Sequence, residues 1–477
     1  GVQTIDLNGD TIPDLTLDQD TAVGANASAT GGFATAIGNG VSATGLYGVA
    51  MGSGSTATGD QAIAIGRSNS VNSFNTTSTI TNNGVFDRSA GGNFTFPVGG
   101  TQLAGYAVGI GSANTVTSGG VAIGASNQAS HASNFTMALG LGNQTIGAYG
   151  AAIGVANAVS GTSAVAIGTA NLASGNTSIA MGRQSSASGN TSIALGNVST
   201  ASQTNAIAIG HSTQATAEGA IALGGGTNGA STNLDATAAR ATGANAVAIG
   251  TNSNSADVDA VAIGRAASAA NEGDIAFGAG AIANSDVNGI NAGAVAIGMS
   301  SVANNSAGAG NNSVAIGRQA IATSTAAAGS SPTAIGAFAN ASGAGSQVAI
   351  GDSSTASGTD AIAIGGHAFA AGSLASGTRS TAIGQSVTAA GQSAIAIGDG
   401  YQASNTNSIA IGTGNNVSGA NSGAIGDPNT ITGSGSYALG NNNSIAANNA
   451  FAIGNNISIA AGRDGSVGIG DGTTVAA

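Results

Sequence analysis

The sequence predicts an all-β protein, a parallel β-solenoid or β-roll wound in coils of about fourteen residues. Three observations lead there. An apolar tetrad recurs from Ala152 to Gly224, closing on Gly154, Gly168, Gly182, Gly196, Gly210 and Gly224, a constant spacing of fourteen. Within each unit, large and small side chains alternate by two, as Val165 and Ile167 do with Ala164 and Ala166. Signals for helix are missing: the period is wrong, glycine and β-branched residues abound, and helix caps are absent.

One unit offers two short strands. Residues 163–168 form the stronger alternation, and Ala170, Leu172 and Ala173 a weaker one before Ser174-Gly175. Alternation sends successive side chains to opposite faces. The glycines mark corners, where the chain takes a positive φ or passes close to a neighbour. A lone pair of such strands buries too little to be stable. Stacked coils escape that limit, since each hydrogen-bonds to the coils above and below and like residues stack on like. Roughly twenty-eight units at about 4.8 Å each give an expected rod on the order of 130 Å. Alanine strips let backbones approach closely. One strip is therefore expected to face the coil interior and another a neighbouring chain; the sequence leaves open which.

Composition narrows the class. Of 477 residues, 81 are glycine and only 6% are charged, yet the apolar period persists, which separates the chain from a disordered linker. The net charge is −12, lysine is absent and the eight arginines are dispersed, which argues against nucleic acid or an anionic membrane as partner. There is no cysteine, so disulfides are excluded. No apolar run reaches the roughly twenty residues of a membrane-spanning helix. The chain opens at Gly1 with neither initiator Met nor signal pattern, as expected of a processed product or fragment.

Residues 1–20 are distinct. Asp6, Asn8, Asp10 and Asp14 fall at the first, third, fifth and ninth places of a calcium-loop pattern, and Ile12 would offer its carbonyl at the seventh. Ca²⁺ takes six to eight oxygens, and alternating acidic residues on a tight loop supply them. The stretch resembles dockerin and FG-GAP type loops. It departs from an EF-hand at Thr11 and at Leu17, where Asp18 could substitute. Ca²⁺ is therefore an expected ligand of this segment, and a solvated acidic turn is the plainer reading.

Repeats then run over 21–66. The interruption at 67–107 carries Phe74, Phe86, Phe94, Phe96 and Tyr106, a third of the aromatic residues. Long insertions in solenoids map to loops on one face and often carry binding, so these five are ligand-contact candidates. A small hairpin or cap packing its own aromatics is the alternative. Repeats resume over 108–224, with slips at Gly124 and Gly140. A polar insertion spans 225–245. Repeats continue over 246–470, with longer loops at 279–336, and a tail occupies 471–477. The residue after each closing glycine varies among Arg, His, Asp, Thr and Asn, and half of the arginines fall there, marking it as solvent-facing.

The unit S-x-A-I-A-I-G-x-x-A-x-A-S-G, seen at 206–219, 191–196 and 393–398, resembles the head repeat of trimeric autotransporter adhesins of the YadA type. The resemblance covers most of the chain. It implies a left-handed parallel β-roll, a side-by-side homotrimer, display on a Gram-negative surface and binding of host matrix or neighbouring cells without catalysis. In that family, collagen contacts involve the apolar tetrad surfaces. The family's coiled-coil stalk and membrane barrel find no counterpart here, so end-to-end assembly into an extracellular filament is the competing expectation.

Catalysis has little to build on. The densest carboxylates are Asp257, Asp259, Glu272 and Asp274, which surface turns explain. His131, His211 and His367 are far apart and lack partner motifs. Thr is too erratic for an ice-binding rank. The expectation is a non-enzymatic adhesive or structural protein.

Overall fold

The computed structural model describes residues 19–72, 76–77, 103–104, 107–117, 119–131, 135–226, 236–285, 293–305, 312–325, 330–366, 372–400 and 402–476. The calcium-loop candidates Asp6, Asn8, Asp10, Ile12, Asp14 and Asp18 lie outside them, as do Phe74, Phe86, Phe94, Phe96 and Tyr106. The chain forms two compact units, one up to Gly219 and one from Ala220 onward. Each is a stack of coils, and each coil holds a longer and a shorter strand.

In the first unit a representative coil has strands Val165–Thr169 and Leu172–Ala173. The longer strand pairs in parallel with the next, matching Val165 to Ile179, Ala166 to Ala180 and Gly168 to Gly182. The shorter strand matches Ala173 to Ala187. In the second unit Val261, Ala262 and Ile263 likewise stack on Ile275, Ala276 and Phe277. Coils of fourteen residues in a parallel ladder are thus the architecture that the closing glycines foretell.

The alternation resolves which strip faces where. Ala164, Ala166 and Ala173 are wholly buried, and so are their counterparts Ala246, Ala248 and Ala241 in the second unit. Alanine therefore lines the inside along the longer strands, and the shorter strands place Ala or, in some coils, Val or Ile there. Valine and isoleucine of the same strands stand outside.

Polar atoms inside the coils are matched by stacking. Asn157 Nδ2 donates to Asn143 Oδ1, to the Ile153 carbonyl and to the Gly168 carbonyl. The same set recurs at Asn171, and in the second unit's row Asn429 and Asn443 each donate to the asparagine one coil below and to a glycine carbonyl of the next coil. Near that row the shorter strands exchange alanine for buried Val417, Ile431 and Ile445.

Interruptions leave the ladder intact. Ile63 pairs with Val108 and Gly66 with Gly111 across the segment 67–107. Within that segment Thr76–Thr77 and Leu103–Ala104 pair antiparallel. In the second unit Ile221 pairs with Val247 across 225–245, and Arg240–Ala241 within that span is itself a short strand paired to Asn254–Ser255. Between 279 and 336 the shorter strands lengthen to Ile282–Asn284, Val302–Asn305 and Ile321–Ser324.

Candidate interaction surface

The longer strands present their first and third residues outward. Those positions hold Val165 and Ile167, Ile193 and Leu195, or Val295 and Ile297, coil after coil within each unit. Among the described residues none of these outward positions carries a charge. Exposure of these large side chains is substantial: 42% for Ile123, 37% for Leu195 and 52% for Phe277. The shorter strands face outward mostly with polar residues, Ser42, Thr56 and Thr115 in the first unit and Asn254, Ser268 and Thr355 in the second, with Leu172, Ile282 and Ile321 as exposed apolar exceptions. Each unit therefore has one apolar side and one largely polar side. Contiguous bare apolar area of this extent marks a surface for association.

Strand chemistry produces this face. β-branched residues suit a pleated surface, and the opposite face of the strand admits only alanine. The longer strands turn their large residues outward, and buried Val and Ile such as Val71, Val159, Ile431 and Ile459 sit elsewhere in the coil.

The corners carry the charged groups. Arg183 Nε donates to Asn197 Oδ1 at 3.2 Å, and the Arg318 guanidinium lies 4.3 Å from the Phe338 ring centroid. These pairings agree with a solvent-facing role for the residue after each closing glycine.

The carboxylates considered for catalysis divide. Asp257 caps the Val258 N–H at 2.8 Å, and Asp259 accepts from Asn245 Nδ2 at 3.1 Å, both in exposed surroundings. Glu272 is exposed, whereas Asp274 is buried and accepts N–H bonds from Asn271, Ser285 and Ala294. They do not converge on one cleft. Among the described residues no group of three or more His, Asp or Glu is placed to hold a metal ion. His131 and His211 sit in different coils, and His367 lies outside the described residues.

One departure in the apolar face has no announcement in the repeat pattern. Gly423 replaces the usual Val or Ile at the first outward position, and Tyr437 and Phe451 follow at the same position of the next two coils. An apolar notch of about 190 Å³ results, lined by Ile409, Gly423, Ile425, Tyr437, Leu439 and Phe451. Two aromatics one period apart are the signal that sequence inspection could have used.

An alanine-cored parallel β-solenoid with its large aliphatic residues turned outward defines a repeat protein that works through its surface. The chain belongs to the YadA head domain repeat family, whose pattern matches at 18–40, 43–69, 173–199, 201–227, 237–281, 290–331, 348–368, 375–400 and 403–427. Together these spans exceed half of the sequence. No curated protein matches the chain. The family and fold are structural in kind, and the family implies trimeric association. No helix among the described residues is long and apolar enough to cross a membrane.

Proposed function

We propose that this chain is the head of a trimeric, surface-displayed adhesin that binds host matrix or neighbouring cells without catalysis. The observation that carries the reading is the uncharged Val/Ile face of the longer strands. A soluble monomer rarely leaves such a face bare. Covering it with further copies places three coil stacks side by side, as membership of the family implies. The polar sheet and the charged corners then remain outward for a ligand, which departs from the apolar tetrad contacts with collagen that the resemblance implies. The same membership supports display on a Gram-negative cell surface.

Light scattering coupled to size exclusion tests the assembly. A discrete trimer supports the head; polymers that grow with concentration support a self-assembling extracellular filament instead. Surface binding to immobilised collagen, fibronectin and laminin then tests the ligand class, and failure on all three in the trimer overturns the matrix reading. The N-terminal segment from Asp6 to Asp18 is proposed to hold Ca²⁺ through its alternating oxygens. Calorimetric titration of calcium into EDTA-stripped protein, showing no heat, removes that assignment.

A further inference from the structure

The notch at Gly423 is a departure that the coil itself does not require. Most corner glycines are forced. At Gly168, for instance, an added Cβ would lie 2.0 Å from the Gly182 carbonyl oxygen of the next coil, and φ is +120°. Gly423 is different. It lies in the middle of the sheet face, and its φ is outside the left-handed region. An added Cβ there would meet only side chains: Tyr437 Cδ1 at 2.8 Å, Tyr437 Cε1 at 2.9 Å and Ile409 Cβ at 3.6 Å.

The chain's own Tyr437 ring leans over the glycine, so a side chain at 423 would have to push it aside, yet an aromatic on this face does not by itself demand a glycine. Phe277 stands on the same kind of face between Ile263 and Ile297 with no glycine beneath it. Along this rank the order is Ile409, Gly423, Tyr437, Phe451. One side chain is deleted and the next two are enlarged. Tyr437 and Phe451 lie with ring centroids 6.3 Å apart, tilted by 35°, and form one wall of the notch. Both remain about 40% exposed, so their outer edges are free.

We propose that this notch is a seat for an aromatic side chain of a second copy of this chain, the neighbouring copy's Tyr437, and that the contact fixes the level at which copies lie side by side. The inference rests on the side-by-side trimer proposed above. Three observations favour a second copy as occupant. The notch is continuous with the bare Val/Ile ranks that such an assembly covers. Its size suits one ring, since an engineered cavity of about 150 Å³ takes up benzene. And with parallel copies at one level, the neighbour's Tyr437 stands only one coil, about 4.8 Å along the stack, from the level of the Gly423 floor. A ring inserted into the next copy's notch is a head-to-tail contact, the kind that a three-fold ring of copies can close.

The repeats give such a device a purpose. Rank after rank of Val and Ile looks alike when one copy slides by a coil, and flat repetitive strands specify register weakly. A deletion paired with an enlargement penalises the slip: the ring then meets a filled rank and the notch stands empty.

The chain has no cysteine, which makes the test clean. Full-length chains carrying Gly423→Cys and Tyr437→Cys, one with a size tag, are co-expressed and oxidised. The expected result is a mixed disulfide between the two, absent when Ile395→Cys replaces Tyr437→Cys. In parallel, Gly423→Val, at a φ that any residue adopts, fills the seat and pushes the chain's own Tyr437 ring aside, and is expected to weaken assembly at least about tenfold with an unchanged circular-dichroism spectrum. A trimer that forms no mixed disulfide and assembles as tightly with Gly423→Val overturns the seat and leaves the trimer standing. A monomer in light scattering overturns the trimer and the seat with it.

Discussion

Asn157 donates its side-chain amide to Asn143 Oδ1 at 3.0 Å, fourteen residues back and one coil below. Its backbone N–H reaches the same oxygen, also at 3.0 Å. The Nδ2 group further donates to the Ile153 and Gly168 carbonyls, each at 2.9 Å. Its own Oδ1 serves Asn171 in turn. A buried amide thus binds three successive coils, and each asparagine completes the one before it. Low dielectric strengthens a fully satisfied row of this kind and penalises a broken one.

Replacing Asn157 by Ala is therefore expected to cost about 1–3 kcal/mol for each polar group left bare. The loss should be local, because coils touch only their neighbours. Hydrogen exchange should show weakened protection from about coil 143 to coil 171, with distant coils unchanged. Asn157→Ser should be milder: Ser185 already takes this place, its backbone N–H donating to Asn171 Oδ1 at 2.9 Å and its Oγ to the Gly196 carbonyl at 2.8 Å. Equal damage from Ser and Ala would show that the row carries no special weight.

The neighbours Ala166 and Ile167 should respond in opposite ways. Ala166 is wholly buried between two sheets, and Leu there overpacks the coil by about 1–3 kcal/mol or more. Ile167 stands on the outer face, so Ile167→Ser should leave the unfolding of the isolated chain nearly unchanged. It should instead weaken association in sedimentation or light scattering. If Ile167→Ser unfolds the chain while Ala166→Leu is tolerated, the inside and outside of the coil are interchanged.

The solenoid was legible because its determinants are local and periodic. Gly154, Gly168 and Gly182 mark the corners, and Val165, Ala166 and Ile167 give the strand by alternation alone. What could not be read was the sense of that alternation. Alanine inside and isoleucine outside inverts the usual distribution, and only the narrow coil imposes it. Asn157 reads in sequence as a turn residue, whereas it is buried because the coil stacks identical residues in register. Asp257, Asp259, Glu272 and Asp274 look like one acidic group in sequence, and the coil turns Asp274 inward and the rest out. The notch at Gly423 escaped because one glycine of 81 carries no mark until its missing side chain is seen between Ile409 and Tyr437.

Two glycines with positive φ should separate steric from conformational demand. At Gly168 an added methyl meets the Gly182 carbonyl oxygen at 2.0 Å, backbone that the ladder holds fixed. Gly168→Ala is expected to part the two coils and cost more than about 4 kcal/mol. Gly142 has φ +64° and open space around its Cβ position. Gly142→Ala should then cost only the left-handed penalty of about 1–2 kcal/mol, and Gly142→Asn less still. Thermal unfolding of the three variants ranks them, and a harmless Gly168→Ala would contradict the close stacking of the corners.

Asp274 offers a test of what a long loop demands of the coil that carries it. The carboxylate is wholly buried. Its Oδ2 accepts the Asn271 N–H at 3.0 Å and the Ser285 N–H at 3.1 Å, and its Oδ1 accepts the Ala294 N–H at 2.8 Å. Regular coils place Ala at this position, as at Ala260 and Ala294, and satisfy their N–H groups from the next coil, as Ala270 does on the Ala283 carbonyl at 3.1 Å. Ser285 lies where the chain departs into a longer connection, and Asp274 supplies its acceptor. Restoring the usual residue should therefore harm rather than help. Asp274→Ala leaves three donors without this acceptor, at about 1–3 kcal/mol for each that finds no other. Asp274→Asn keeps one acceptor oxygen and turns an NH₂ toward an N–H, so it should fall between wild type and Ala. Exchange rates at Ser285 and Ala294 would read the effect directly, and an Ala variant as well protected as wild type would mean the carboxylate is dispensable to the loop.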